Sequence, residues 1–173
     1  MTQTDLPIRE AQPDDAEAFL AHMKRLIAEP GNFIPKMPAD YNPTVEQVYN
    51  NIAANYVALP NWALFVVEAE DKIVASLSLH GGRQVEDQNV AVLSIYIESE
   101  YRRRGLGRRL MEHAIAWSRQ NNLVDQINLE VSSDNTPAIS LYEKLGFKLK
   151  SRRRKTAPLN VPTVDILVMS LNL

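Results

Sequence analysis

Arg102-Arg103-Arg104-Gly105-Leu106-Gly107 has the residue types of a turn that could hold a phosphate or pyrophosphate. Glycines let the backbone approach a ligand closely and adopt conformations closed to other residues. A helix start beyond them adds unpaired N–H groups and the positive end of a dipole. A second stretch, Asn135-Thr136-Pro137-Ala138-Ile139-Ser140-Leu141-Tyr142-Glu143-Lys144-Leu145-Gly146-Phe147, also bears on chemistry. Asn135 suits an N-cap, Pro137 a first helical turn and Gly146 a helix end. Asn135 and Tyr142 lie nearly two turns apart, so their side chains fall close to one helix face, beside an apolar stripe of Ala138, Leu141 and Leu145. A phenol placed there can donate a proton.

These residues need elements to position them. Val90 to Ile97 is a β-branched and aromatic run that reads as a strand leading into the arginine turn. Leu106, Leu110, Ala114, Ile115 and either Trp117 or Ser118 then recur at helical spacing to about Asn122. Ile127 to Val131 reads as the strand before the Asn135 helix. Upstream, Leu6 to Ala11 reads as a first strand, and Pro13-Asp14-Asp15 opens a helix with Phe19, Leu20, Met23, Leu26 and Ile27 as its apolar positions. Glu29 to Pro43, with four prolines besides Gly31, reads as a loop. Thr44-Val45-Glu46-Gln47 is a capping-box start to a second helix reaching about Leu59. Trp62 to Glu70 and Lys72 to His80 read as a hairpin turning at Glu70-Asp71. Phe147 to Thr156 and Thr163 to Asn172 read as a closing pair of strands.

A length of 173 residues suits one domain, 1–173, with a sizeable core. The absence of cysteine excludes a thiol nucleophile, a disulfide framework and cysteine metal sites, and no metal is expected. No apolar run approaches a membrane span, and the polar start Met1 to Asp5 is unlike a signal peptide, so no membrane role and a cytoplasmic location are expected. A net charge of −2 argues against broad nucleic-acid binding. Charge is nonetheless uneven, with five arginines in Arg102 to Arg109 and six basic residues in Lys148 to Lys155.

R-x-x-G-x-G after a strand, followed by L-E-V-x-x-x-N-x-x-A-I-x-L-Y-x-K-x-G-F, resembles the GNAT superfamily of acyl-CoA-dependent N-acyltransferases. The first motif falls on Arg102, Gly105 and Gly107. The second falls on Leu129, Glu130, Val131, Asn135, Ala138, Ile139, Leu141, Tyr142, Lys144, Gly146 and Phe147. The resemblance implies an α/β fold with a mixed, mostly antiparallel twisted sheet and helices on both faces. It implies acetyl-CoA as co-substrate and an amine acceptor, either a small molecule or a peptide N-terminus. A homodimer is compatible with it.

By the same resemblance, backbone N–H groups of Arg103, Arg104, Gly105, Leu106, Gly107 and Arg108, next to Arg102, would hold the coenzyme A pyrophosphate. Arg103 stands where many relatives carry glycine, which is tolerable if its side chain turns outward. Ile95, Tyr96 and Ile97 match the strand end that splays from its neighbour and pairs with the pantetheine arm. An N–H near Ile97 would polarise the acyl carbonyl. The alternative, that Ile95 and Ile97 are buried strand residues, is compatible, because it uses side chains rather than main chain. Asn135 and Tyr142 complete the coenzyme contacts.

Aminolysis of a thioester expels a thiolate, and Tyr142 is expected to protonate it as general acid, its alternative being a core aromatic. The acceptor amine must lose a proton before attack. Val90 to Ile97 contains no acid, and Glu130 is the expected base through its match to branches that acetylate protein N-terminal amines. Its alternative is a strand glutamate paired with an arginine. Glu98 and His80 are secondary candidates. A reading from another class is a non-catalytic acyl-CoA sensor, or a module contacting RNA through Lys148 to Lys155. Acceptor choice would rest on Glu29 to Pro43, the second helix and the Pro158 to Pro162 turn.

Overall fold

Alternation of β-branched and apolar residues builds one seven-stranded sheet in the computed structural model, which describes residues 6–29, 42–84, 86–154 and 165–173. The strands are β1 (Ile8–Glu10), β2 (Ala63–Ala69), β3 (Lys72–Gly81), β4 (Val90–Ile97), β5 (Gln126–Ser132), β6 (Lys148–Arg154) and β7 (Asp165–Asn172). Their order is β1-β2-β3-β4-β5-β7-β6, and only the β4–β5 pair is parallel. The β2–β3 hairpin turns through Glu70 and Asp71, both at positive φ (51° and 59°), a turn whose twist matches the flanking strands.

Helices cover both faces. Helix α1 (Ala16–Ala28) and α2 (Val45–Asn51), which continues as a π-helical turn Ile52–Val57, lie over one face. There Leu20, Val48 and Ile52 meet Leu64, Val66 and Ile73. Helix α3 (Leu106–Asn121) and α4 (Thr136–Lys144) cover the other, where Leu106, Leu110, Met111 and Tyr142 meet Phe65, Leu77, Leu93, Ile127 and Leu129. Strand β3 is consequently buried along nearly its whole length, as a strand covered on both faces must be. The expected capping box is present, Thr44 Oγ1 accepting from Gln47 N–H at 3.2 Å and Gln47 Oε1 from Thr44 N–H at 2.8 Å.

The basic run from Lys148 to Arg154 forms β6, an edge strand exposed at every residue, and Lys155 lies outside the described residues. Arg152 and Arg154 pair with Asp165 at 3.8 and 3.7 Å. Charge on an edge strand discourages pairing with other chains, which gives this run a structural role. The expected first helix starts with a 3-10 turn at Pro13–Asp15 rather than as α-helix. Most of the Glu29–Pro43 loop, the Pro158–Pro162 turn, the Met1–Asp5 start and the inner ends of the last two expected strands lie outside the described residues. Among the described residues no helix is long and apolar enough to cross a membrane.

Leu77 has no exposed surface and sits centrally on β3. Leu77→Ala should cost about 2–5 kcal/mol in urea unfolding, the range for emptying a packed core site.

Candidate active site

Strand β4 pairs with β5 from Val90–Gln126 to Leu93–Leu129, and there the pairing stops. Strand β5 continues against β7 as far as Ser132–Ile166, and β4 against β3 as far as Ile97–Ala75. A wedge therefore opens between β4 and β5. Gly82 N–H donates to Val90 O at 3.2 Å and Glu98 N–H to Val74 O at 3.1 Å. Those two bonds fix the alternation of an antiparallel ladder: even-numbered residues of β4 turn their main-chain groups to β3, odd-numbered ones away from it. Ile95 and Ile97 thus turn N–H and C=O into the wedge, while their side chains pack against the larger core. Arg102 Nε donates to Ile97 O at 2.7 Å, leaving the Ile97 N–H and both groups of Ile95 facing the gap.

The arginine turn closes one end of the wedge. After a 3-10 turn at Ser99–Tyr101, Arg103 takes φ 58° with its side chain exposed, and Gly105 takes φ 84° as the cap of α3. The first helical bond is Arg109 N–H to Gly105 O at 3.1 Å. Among the described residues, the N–H groups from Arg103 to Arg108 have no backbone acceptor. The two glycines serve different ends. A Cβ on Gly105 would meet nothing within 4 Å, so its positive φ is the constraint and the space before it is open. A Cβ on Gly107 would come within 3.3 Å of Ile97 Cδ1, so that glycine lets α3 pack on the end of β4.

The arginines divide likewise. The guanidinium of Arg102 holds Glu29 through two bonds of 2.7 and 2.8 Å besides the Ile97 carbonyl, so its side chain braces the wedge. Arg108 pairs with Glu112 at 2.8 Å, and Arg109 donates to Leu6 O at 2.8 Å. Arg103 and Arg104 form no ion pair with the described residues.

Helix α4 lies along the wedge. Asn135 Oδ1 accepts from Ala138 N–H at 3.3 Å, the expected cap. Tyr142 is buried, 6.0 Å from the Phe147 ring, and its pKa is pushed up to about 12, chiefly by burial and further by the proximity of Tyr96.

On the α1–α2 face of the sheet lies a cavity of about 640 Å³. Phe19, Tyr56, Trp62 and Tyr96 form aromatic walls, Ser76, Ser78 and Ser94 a hydroxyl floor, and none of its described lining residues is Asp, Glu, Lys or Arg. His80 stacks on Trp62 at 4.7 Å and bonds the Tyr56 hydroxyl, so it is built into the wall. Burial raises the Tyr96 phenol, a bond with Ser94 opposing it. The π-helical turn places Tyr56, and the sequence gives no sign of it.

The acids and His22 complete the picture. Glu130 follows the last β4–β5 pair on β5 and forms an ion pair with Arg153; it does not line the cavity. Glu98 bonds His22 Nδ1 and Arg25 Nε, each at 2.9 Å; burial would raise its pKa, but these partners hold it below the ordinary carboxylate value. His22 itself has no exposed surface, and burial lowers its pKa. Sequence reasoning missed it. The available signal was a histidine next to Met23 within the apolar run of α1 that includes Leu20 and Leu26. No group of three or more His, Asp or Glu able to hold a metal occurs among the described residues.

Residues 33–147 match the model of the acetyltransferase (GNAT) family. The chain is 36% identical over 88 residues to the [ribosomal protein bS18]-alanine N-acetyltransferase of Escherichia coli K12, a match spanning 51% of this chain and 59% of that protein. It is 26% identical over 167 residues to the L-amino acid N-acetyltransferase AaaT of the same organism, spanning 96% and 98% of the two chains. An acetyltransferase of the GNAT family from Streptococcus pneumoniae superposes with a TM-score of 0.89, at 24% identity, over 98% of this chain and 100% of that one. The structure of yncA from Salmonella typhimurium with its cofactor acetyl-CoA superposes at 0.80, with 18% identity, over 96% and 93%.

The open space before Gly105 yields a charge test. Gly105→Ala and Gly105→Asp share the cost of positive φ, but only the second adds an anion facing the turn. Acetyl-CoA binding by calorimetry should be at least about tenfold weaker for Asp than for Ala, a like-charge penalty near 1.4 kcal/mol. Equal affinities would place the pyrophosphate elsewhere.

Proposed function

This chain belongs to the acetyltransferase (GNAT) family, and we propose that it transfers the acetyl group of acetyl-CoA directly to the amine of a small molecule. The observation that carries the reading is the departure of β4 from β5 after Leu93, between a turn whose N–H groups have no backbone acceptor among the described residues and a cavity of about 640 Å³. The residues fit the co-substrate. N–H groups of Arg103 to Arg108 take its pyrophosphate, and Ile95 offers an open edge to its amide-bearing arm. Coenzyme A supplies the acetyl group as an activated thioester. The Ile97 N–H faces the wedge where the acetyl carbonyl would lie, and stabilises negative charge developing on its oxygen. A cavity walled by aromatics and serines, with no described charged lining residue, favours an amine bearing an apolar or aromatic group over a polyamine. The AaaT relative, which aligns over nearly its whole length, supports an amino-acid-like acceptor. The bS18-alanine relative supports a peptide N-terminus as the second reading. Thiol release across a panel of amines, amino acids and alanine-starting peptides tests both; no acceptor turned over would overturn the activity.

Two protons leave the acceptor nitrogen. An alkyl ammonium with pKa near ~10.4 must first lose one to become nucleophilic. We assign this first proton to Glu130, through water, because Glu130 lies on β5 just past the end of the β4 pairing, on the same sheet face as Ser94 and Tyr96. If so, Glu130→Gln lowers kcat/KM most at neutral pH, and the loss shrinks as pH rises toward the amine's own pKa, where the acceptor arrives neutral. Superimposable pH profiles would remove Glu130 from the reaction.

Tyr142 is the proposed proton donor to the departing sulfur. Its pKa of about 12 exceeds that of a thiol near ~8.5, so complete transfer is uphill by roughly 5 kcal/mol. Its contribution is therefore a hydrogen bond that strengthens as charge builds on sulfur. Tyr142→Phe should lower single-turnover rates by ~10²-fold with little change in acetyl-CoA affinity. A raised pKa keeps the phenol protonated to higher pH, so its ionisation should produce no downturn in kcat near pH ~10, the ordinary tyrosine range. With no cysteine to carry the acetyl group, kinetics should be sequential.

A further inference from the structure

Ser76, His22 and Glu98 lie in a line that starts at the floor of the acceptor cavity. Ser76 is almost wholly buried yet lines that cavity. Its Oγ lies 3.2 Å from His22 Nε2, and His22 Nδ1 lies 2.9 Å from Glu98 Oε1. Glu98 also accepts from Arg25 Nε at 2.9 Å, which keeps it an anion. An anionic Glu98 can only accept, so Nδ1 carries the proton and donates to it. Nε2 is then the bare nitrogen and accepts from the Ser76 hydroxyl. The three groups come from β3, α1 and the residue after β4. The sequence motifs do not reach any of the three.

We propose that this line is a proton relay that removes the second proton from the acceptor nitrogen as the amide forms. The proposal rests on the acetyl-transfer reading above. The nitrogen's electron pair forms the C–N bond, and the C–S bond breaks with its pair leaving on sulfur. The N–H bond breaks as its proton passes to Ser76 Oγ, while the hydroxyl's own proton passes to His22 Nε2. The electrons of the broken N–H bond remain as the amide nitrogen's lone pair. Glu98 stabilises the imidazolium so formed, with Arg25 opposing it from the same helix. After product leaves, the proton returns to solvent. Ser76 touches the substrate; His22 and Glu98 act through it.

The test uses the full chain and an acceptor identified in the amine panel. His22→Gln and Ser76→Ala should each lower kcat by ~10²-fold, the range of general base catalysis, with KM and acetyl-CoA affinity within about twofold of wild type. Ser76→Thr, which keeps a hydroxyl, should recover most of the rate. The second proton must leave whatever the acceptor's initial state, so these losses persist at alkaline pH. The Glu130→Gln loss should shrink there. A histidine that merely pins α1 to the sheet would lower stability without its effect being reproduced by Ser76→Ala. Wild-type kcat in Ser76→Ala across the pH range overturns the relay, even if His22→Gln does not fold. A loss that vanishes at alkaline pH overturns the assignment to the second proton. No turnover by wild type overturns the acetyl-transfer reading and the relay with it, whereas an active wild type with active variants overturns the relay alone.

Discussion

A strand that leaves its neighbour bares N–H and C=O groups that folded chains almost always pair, and β4 does this after Leu93. The rest of the molecule makes that departure tolerable. Strand β3 holds β4 along its other edge to Ile97, so the bared segment stays extended. Arg102 satisfies the Ile97 carbonyl and is itself anchored on Glu29, which ties the end of α1 to the mouth of the wedge. Gly107 allows α3 to seat against Ile97. What remains without a strand partner among the described residues is a short row of main-chain groups pointing one way, a surface suited to a ligand that carries amides and a carbonyl.

The turn below the wedge divides its work between main chain and side chains. Five arginines in eight residues look like five phosphate ligands. Arg102 and Arg109 instead tie elements together, and Arg108 is balanced by Glu112. Their guanidinium groups are bonded within the protein, while among the described residues the N–H groups from Arg103 to Arg108 have no backbone acceptor. Rigid main-chain donors at a helix start need no reorganisation to meet an anion, whereas long side chains lose rotamer freedom on doing so.

Where periodicity and turn chemistry decide structure, the sequence was informative. Among the described residues the strands and helices fall where their patterns put them, except that the second helix gives way after Asn51 to a π-helical turn, and the Thr44 capping box and the Asn135 cap form as expected. The turn and helix start proposed to hold the coenzyme were legible as structure, because glycines and a helix start are local features. The acceptor side was not. Its floor comes from β3 and β4, its walls from α1 and a π-helical turn, and cross-element contacts such as His22 with Ser76 leave no spacing signature. The arginine that pairs with Glu130 sits on β6, two strands away in the sheet order, so the sequence could pose that alternative without naming Arg153.

Burial acts on the two ends of the proposed chemistry in opposite directions and leaves both in working form. Taking a phenol out of water disfavours phenolate, so Tyr142 holds its proton to about 12. Taking an imidazole out of water disfavours imidazolium, so His22 stays neutral below its ordinary titration range. A donor that keeps its proton and an acceptor that lacks one therefore coexist at neutral pH. Both are uncharged before reaction, so neither adds a charge of its own to the buried site. Glu98, already an anion held by Arg25, is where the positive charge arriving on His22 finds its counter-charge, and the wedge is left to stabilise the negative charge on the acyl oxygen.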